Sequence, residues 1–104
     1  MDARDMLDHI TSCVSTYREV RRAILFGSRA RGEGQADSDF DLCLVVDDAA
    51  DARSLYIRMM REIASADWSV DLMILSESDY VRKLEEGWTV LKTIASEGRI
   101  VYAA

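Results

Sequence analysis

The run FDLCLVV at residues 40–46 places the strongest constraint on the fold. Seven residues dominated by branched and apolar side chains, stopped by Asp47 and Asp48, read as a β-strand. Side chains alternate along a strand, so Phe40, Leu42, Leu44 and Val46 share one face while Asp39, Asp41, Cys43 and Val45 share the other. The apolar face is expected to take the helices. Both carboxylates then look out from the opposite side, at one end, about 6.6–6.8 Å apart as i and i+2 neighbours. Like charges this close repel unless a cation sits between them, and a divalent metal is the natural one. Carboxylate oxygens suit the hard ion Mg2+, which takes one or two protein carboxylates and fills its octahedron with water and substrate phosphates.

The elements around this strand follow from apolar spacing. Met6, Leu7, Ile10, Val14 and Tyr17 predict an amphipathic helix over residues 3–19. Residues 23–26 form a short buried strand ended by Gly27, and residues 68–75 a third strand. Between them Ala52, Leu55, Tyr56, Met59 and Ile63 mark a helix whose start is favoured by acids at 47, 48 and 51. Ser76 with Asp79 opens a last helical stretch carrying Tyr80, Leu84, Trp88, Leu91 and Ile94, with a break at Gly87. Gly98 is the expected C-cap, and RIVY the last strand. The order α-β-β-α-β-α-β predicts an α/β (α+β) class fold, a small mixed β-sheet with helices packed on one face.

Composition bounds the function. The chain has 104 residues, 49% apolar and 31% charged, with no proline, repeat or linker, which predicts a single domain over 1–104. A chain this short buries a smaller fraction of its surface than a large one, so a broad open cleft calls for a partner to cover it. A formal net charge of -6 disfavours nucleic acid as the main partner, because that affinity rests on clustered Lys and Arg. Arg18, Arg21 and Arg22 read as a solvated face, whereas Arg29 and Arg31 fall inside the loop before the acidic strand. No stretch approaches the roughly 20 apolar residues of a membrane span, and MDARDMLDHI carries acids where a signal peptide carries bases; the expectation is a cytoplasmic protein with no membrane association. Cys13 and Cys43 read as reduced, buried thiols without chemistry, and His9 as a surface residue off the apolar stripe. Tyr17, Tyr56, Trp68, Tyr80 and Trp88 sit at spacings expected for core packing.

Two further stretches complete the chemistry. In WSVDLMIL, Asp71 interrupts an apolar strand, where a charge is costly to bury without a partner or metal. If that strand lies beside residues 40–46, Asp71 joins Asp39 and Asp41. Gly27-Ser28 directly after a strand allows close approach of a bulky group and supplies a hydroxyl, and a short helix opening through SRAR would offer unpaired amides to phosphate, with charge from Arg29 or Arg31. A calcium loop starting at Asp37 is rejected, since its sixth position is Leu42 where glycine is required and its twelfth is Asp48 where glutamate is expected.

Gly27-Ser28, ten residues, then Asp39-Phe40-Asp41-Leu42 resembles the G-S-x10-D-x-D signature of the polymerase β nucleotidyltransferase superfamily, and GSRARG followed by SDFDL resembles its minimal nucleotidyltransferase branch. The resemblance implies transfer of a nucleoside monophosphate from ATP or another nucleoside triphosphate to an acceptor hydroxyl, with pyrophosphate leaving. It implies Asp39, Asp41 and Asp71 as catalytic residues and ligands of Mg2+, two ions with substrate bound, and Gly27, Ser28 and Arg31 as the nucleotide-binding residues. Asp71 is the candidate to orient the acceptor or take its proton. It also implies an antitoxin whose partner is a HEPN-type helical toxin, modified by AMP on a tyrosine, in a hetero-oligomer or as a homodimer. A binding antitoxin without chemistry and an enzyme acting on a small molecule are the alternatives.

Overall fold

The computed structural model describes residues 2–32, 39–65 and 67–104; Asp37, where the rejected calcium loop would begin, lies outside them. Over these residues the order is α1 (Ala3–Ser15), β1 (Val20–Phe26), β2 (Phe40–Val46), α2 (Ala52–Ile63), β3 (Val70–Ser76), α3 (Glu77–Glu85), α4 (Thr89–Glu97) and β4 (Arg99–Ala103). The described strands form one mixed sheet in the order β3-β2-β1-β4, with β2 and β3 parallel and the other pairs antiparallel. The fold class is the predicted one.

Helices α1, α2 and α3 start where the side chains of Asp2, Asp51 and Ser76 satisfy orphaned amides, whereas α4 has no side-chain cap. Asp2 caps α1 in a reciprocal box with Asp5, and Met6, Ile10 and Val14 form its buried stripe. Asp51 caps α2 through the Ser54 amide, and Leu55, Met59 and Ile63 are buried. Of the other two acids expected to start this helix, Asp47 pairs with Arg21, and Asp48 accepts from the amide and hydroxyl of Ser78 at the start of α3. Those two bonds hold the Asp48 carboxyl below its ordinary value. A depressed folded-state value means the stabilisation is present above the unfolded value of about 3.9 and is lost as pH falls through the folded one. The difference in Tm between wild type and Asp48→Ala is therefore expected to shrink as the pH is taken below about 4.

Helices cover both faces of the sheet, which corrects the expectation of one. The α1/α2 pair packs on Phe40, Leu42, Leu44 and Val46 together with Val20, Ala23 and Leu25. The opposite face, with Ile24, Cys43 and Val45, is covered by Leu91 and Ile94 of α4 and by Tyr80 and Leu84 of α3. Burial there pushes the Cys43 thiol up to about 12, so it stays protonated; Cys13 is half-buried rather than buried. The alternation reading of β2 is correct, yet the face bearing its carboxylates is apolar from Cys43 onward and needs cover of its own.

Two glycines shape the second layer. Gly87 (φ 80°) realises the predicted break by separating α3 from α4. Gly98 is the C-cap of α4, but its φ of -67° is an ordinary one. Glycine is needed there for space: a Cβ would overlap the Ile94 carbonyl and come within 2.6 Å of Ile24 Cγ2. Gly98→Ala is expected to cost about 1–3 kcal/mol, read as a lower denaturation midpoint with an unchanged m-value.

The aromatic residues divide. Tyr17 is buried and donates to Glu62 Oε1 at 2.6 Å, but Tyr56 and Trp88 are 42% and 49% exposed and do not belong to the core. His9 is half-buried and its Nε2 lies 2.9 Å from the Glu62 carbonyl near the end of α2, tying α1 to α2. Among the described residues no helix is long and apolar enough to cross a membrane.

Candidate active site

The parallel pairing of β2 and β3 sets Asp41 directly opposite Asp71, and the antiparallel pairing with β1 sets Asp41 opposite Phe26, the residue before Gly27. Three predicted site residues thus meet at one end of the sheet because of strand register alone. Cover from α3 and α4 reaches Cys43, so Asp41 is half-buried at its margin, whereas Asp39 and Asp71 are exposed. Asp71 does interrupt an apolar strand as read, but it is the second residue of β3 and exposed to solvent, so its charge is not buried.

The electrostatics concentrate on Asp41. Burial pushes its carboxyl above the ordinary value; the charges of Asp71 and Asp39 and a hydrogen bond with Asp71 add to this, and Arg31 opposes it. A half-buried carboxylate facing two more acids is chemically suited to a hard cation, which would relieve the repulsion that Arg31 offsets only in part. Among the described residues no three His, Cys, Asp or Glu side chains already close around one point. The assembled pair is Asp41 with Asp71, and Asp39 acts on Asp41 through its charge. Such a pair fits Mg2+, which needs only one or two protein carboxylates.

Gly27 (φ 75°) ends β1 in a conformation that favours glycine, and a Cβ there would overlap Asp41 Oδ2. Its hydrogen is therefore part of the acidic site. The following segment is a tight turn and not the short helix with unpaired amides expected from SRAR. The amides of Ala30 and Arg31 donate to the Gly27 carbonyl at 3.1 and 3.3 Å, and Gly32 donates to Arg29 at 3.3 Å. Ser28 follows Gly27 directly in this turn and is half-buried. Arg31 Nη1 lies 3.1 Å from Glu97 Oε2 at the end of α4 and also acts on Asp41 by its charge. That tie to Glu97 has no sequence signal, since an acid at a helix end looks like any solvated residue.

Away from this end, a cavity of about 500 Å3 is lined by Arg18, Arg21, Arg22 and Asp47 around the start of β1. Its charge is largely spent within the fold, because Arg21 pairs with Asp47 and Arg22 with Glu77. The acidic end has the chemistry.

Known proteins share this fold. A protein of Methanocaldococcus jannaschii named as a protein adenylyltransferase is 27% identical over 96 residues, 91% of this chain and 92% of the relative. Among solved structures, a toxin–antitoxin bound to AMP-PNP superposes with a TM-score of 0.67 at 23% identity, over 94% of this chain and 73% of the other. A nucleotidyltransferase of Sulfolobus solfataricus gives 0.62 at 20% identity, over 96% and 82%. An MNT antitoxin complex with a tri-AMPylated HEPN toxin of Shewanella oneidensis gives 0.61 at 20%, over 97% and 72%. At these identities the superpositions establish the fold, and the family follows from sequence. Residues 8–104 match the family described as polymerase beta, nucleotidyltransferase, and the chain belongs to that nucleotidyltransferase family.

Proposed function

We propose that this chain transfers AMP from ATP, with Mg2+, to a tyrosine hydroxyl of a HEPN-type toxin, acting as its antitoxin in the cytoplasm through a single nucleotidyltransferase domain. The observation that carries the reading is the in-register pair Asp41 and Asp71 beside the Gly27-Ser28 turn. The relative named as a protein adenylyltransferase and the neighbour containing a tri-AMPylated HEPN toxin support AMP and a protein acceptor. So does the net charge of -6, which suits a protein better than a polyanionic acceptor.

In this reading Asp41 and Asp71, with Asp39, would hold Mg2+. Held there, Mg2+ would supply neutralisation of triphosphate charge and a lower pKa for the acceptor hydroxyl. Ser28 donates its hydroxyl to the β- or γ-phosphate, and Gly27 keeps the turn close without displacing Asp41. Arg31 adds positive charge at the same end, held in place by Glu97. Asp71 is exposed and accepts a hydrogen bond from the incoming tyrosine, orienting its oxygen toward the α-phosphorus. Exposure of Asp39 and Asp71 leaves this end open to an acceptor on another protein. Incubation of the chain with its toxin partner and each of the four Mg2+-nucleotides, followed by mass spectrometry of the partner, is expected to give a mass gain of one adenylyl group per site with ATP. A uridylyl or guanylyl gain would overturn the assignment of ATP, and modification of a nucleic acid in place of the protein would overturn the acceptor.

A further inference from the structure

Arg29 belongs to the Gly27–Gly32 turn, and its half-buried side chain packs over two aromatic rings. Its guanidinium carbon lies 4.7 Å from the centroid of the Phe40 ring and 4.8 Å from that of Trp68. Those two rings meet edge to face, with centroids 5.6 Å apart and planes at 79°. Phe40 sits between Asp39 and Asp41 and points to the opposite face of β2; Trp68 lies three residues before Asp71. The Phe40 amide also donates to the Ser69 carbonyl at 2.9 Å, so the starts of β2 and β3 are already fastened together. One side chain thus contacts all three segments that carry the site: the turn with Ser28, the strand with Asp39 and Asp41, and the approach to Asp71.

Building on the proposed nucleotidyl transfer, we infer that Arg29 is a positioning residue, which holds the Ser28 turn in register with the aspartates by stacking across Phe40 and Trp68, and does not bind phosphate. A guanidinium suits this work because it is planar, permanently charged and weakly hydrated, so it lies on an aromatic face at little desolvation cost. Lysine lacks the plane. The loop is a separate segment from both strands, and misplacing a phosphate-binding group by about 1 Å costs on the order of 100-fold in rate.

The test compares Arg29→Gln, Arg29→Lys and Trp68→Leu in full-length protein with partner, ATP and Mg2+. Stacking predicts that Arg29→Gln and Trp68→Leu each lower kcat by about 10- to 100-fold with KM for ATP changed less than about threefold. It predicts that lysine does not restore the rate and that the double variant is no worse than either single one. A phosphate contact predicts the reverse pattern: Arg29→Gln raises KM, lysine rescues, Trp68→Leu is silent, and the losses add; that result overturns the inference. A readout independent of activity separates this inference from the proposed reaction. The chain has two tryptophans, so in a Trp88→Phe background Trp68 reports alone. Arg29→Gln is expected to change the Trp68 emission maximum and its acrylamide quenching, at unchanged far-UV circular dichroism. Unaltered Trp68 emission overturns the stacking even if no transfer activity is found, whereas altered emission without activity faults only the reaction.

Discussion

Replacing Asp41 by asparagine is expected to lower nucleotidyl transfer by about a thousand-fold or more, in line with the several kcal/mol of transition-state stabilisation a metal-ion site supplies. The same change is expected to leave stability equal or higher in metal-free buffer. Asp41 is half-buried, faces Asp71 across the β2–β3 register, and is repelled by Asp39 as well. Asparagine keeps the shape and removes the charge, so the folded state loses a repulsion it otherwise carries. Opposite signs for activity and stability mark a residue placed for chemistry and not for folding. A Tm scan with a chelator present, beside an initial-rate assay, measures both; a variant that is inactive because it melts early would contradict the assignment.

Gly27→Ala is the second large effect. Gly27 has φ 75°, where a Cβ adds strain of about 1–2 kcal/mol, and that Cβ would overlap Asp41 Oδ2. The aspartate can rotate away, so the fold survives, but the carboxylate leaves its place opposite Asp71. A loss of about 100-fold in rate is expected, with a fall in stability no larger than the backbone strain. Gly32→Ala is the matched control. Gly32 has the same φ of 75°, yet nothing lies within 4 Å of a Cβ built on it. It should show the same loss of stability and at most a few-fold loss of rate. Equal losses of rate in the two variants would mean that turn strain, and not Asp41, carries the effect.

Much of this site is legible in the chain because strand register is local arithmetic. Asp39 and Asp41 are separated by one residue, and a strand fixes which way each faces; the apolar stripe Phe40, Leu42, Leu44 and Val46 faces α1 and α2 as read. The start of β1 is masked in the sequence for a physical reason. A bulge between Val20 and Arg22 lets Val20 and Ala23, three residues apart, enter the same core, which breaks the period of two and makes the strand look as if it begins at Ala23. The second helical layer is hidden for another reason: Cys43 and Val45 are only two apolar positions, and the cover they need comes from the far end of the chain. Tyr56 and Trp88 mislead because aromatic residues at helical spacing look like core, although both are exposed. The contacts that cross the molecule, Arg31 with Glu97 and Arg29 with Trp68, depend on how the last two helices and the β3 approach are set, which no local pattern encodes.

In the proposed reaction the acidic end of this sheet moves a nucleoside monophosphate onto a protein. The most direct measurement mixes the chain with the HEPN-type partner proposed for it, Mg2+ and ATP labelled at the α-phosphate, next to an Asp39→Asn Asp41→Asn control. Label on the partner that disappears in the control is the predicted result. Tight binding of the two proteins with no label from any of the four nucleotides would contradict it, and would leave an antitoxin that acts by covering its partner.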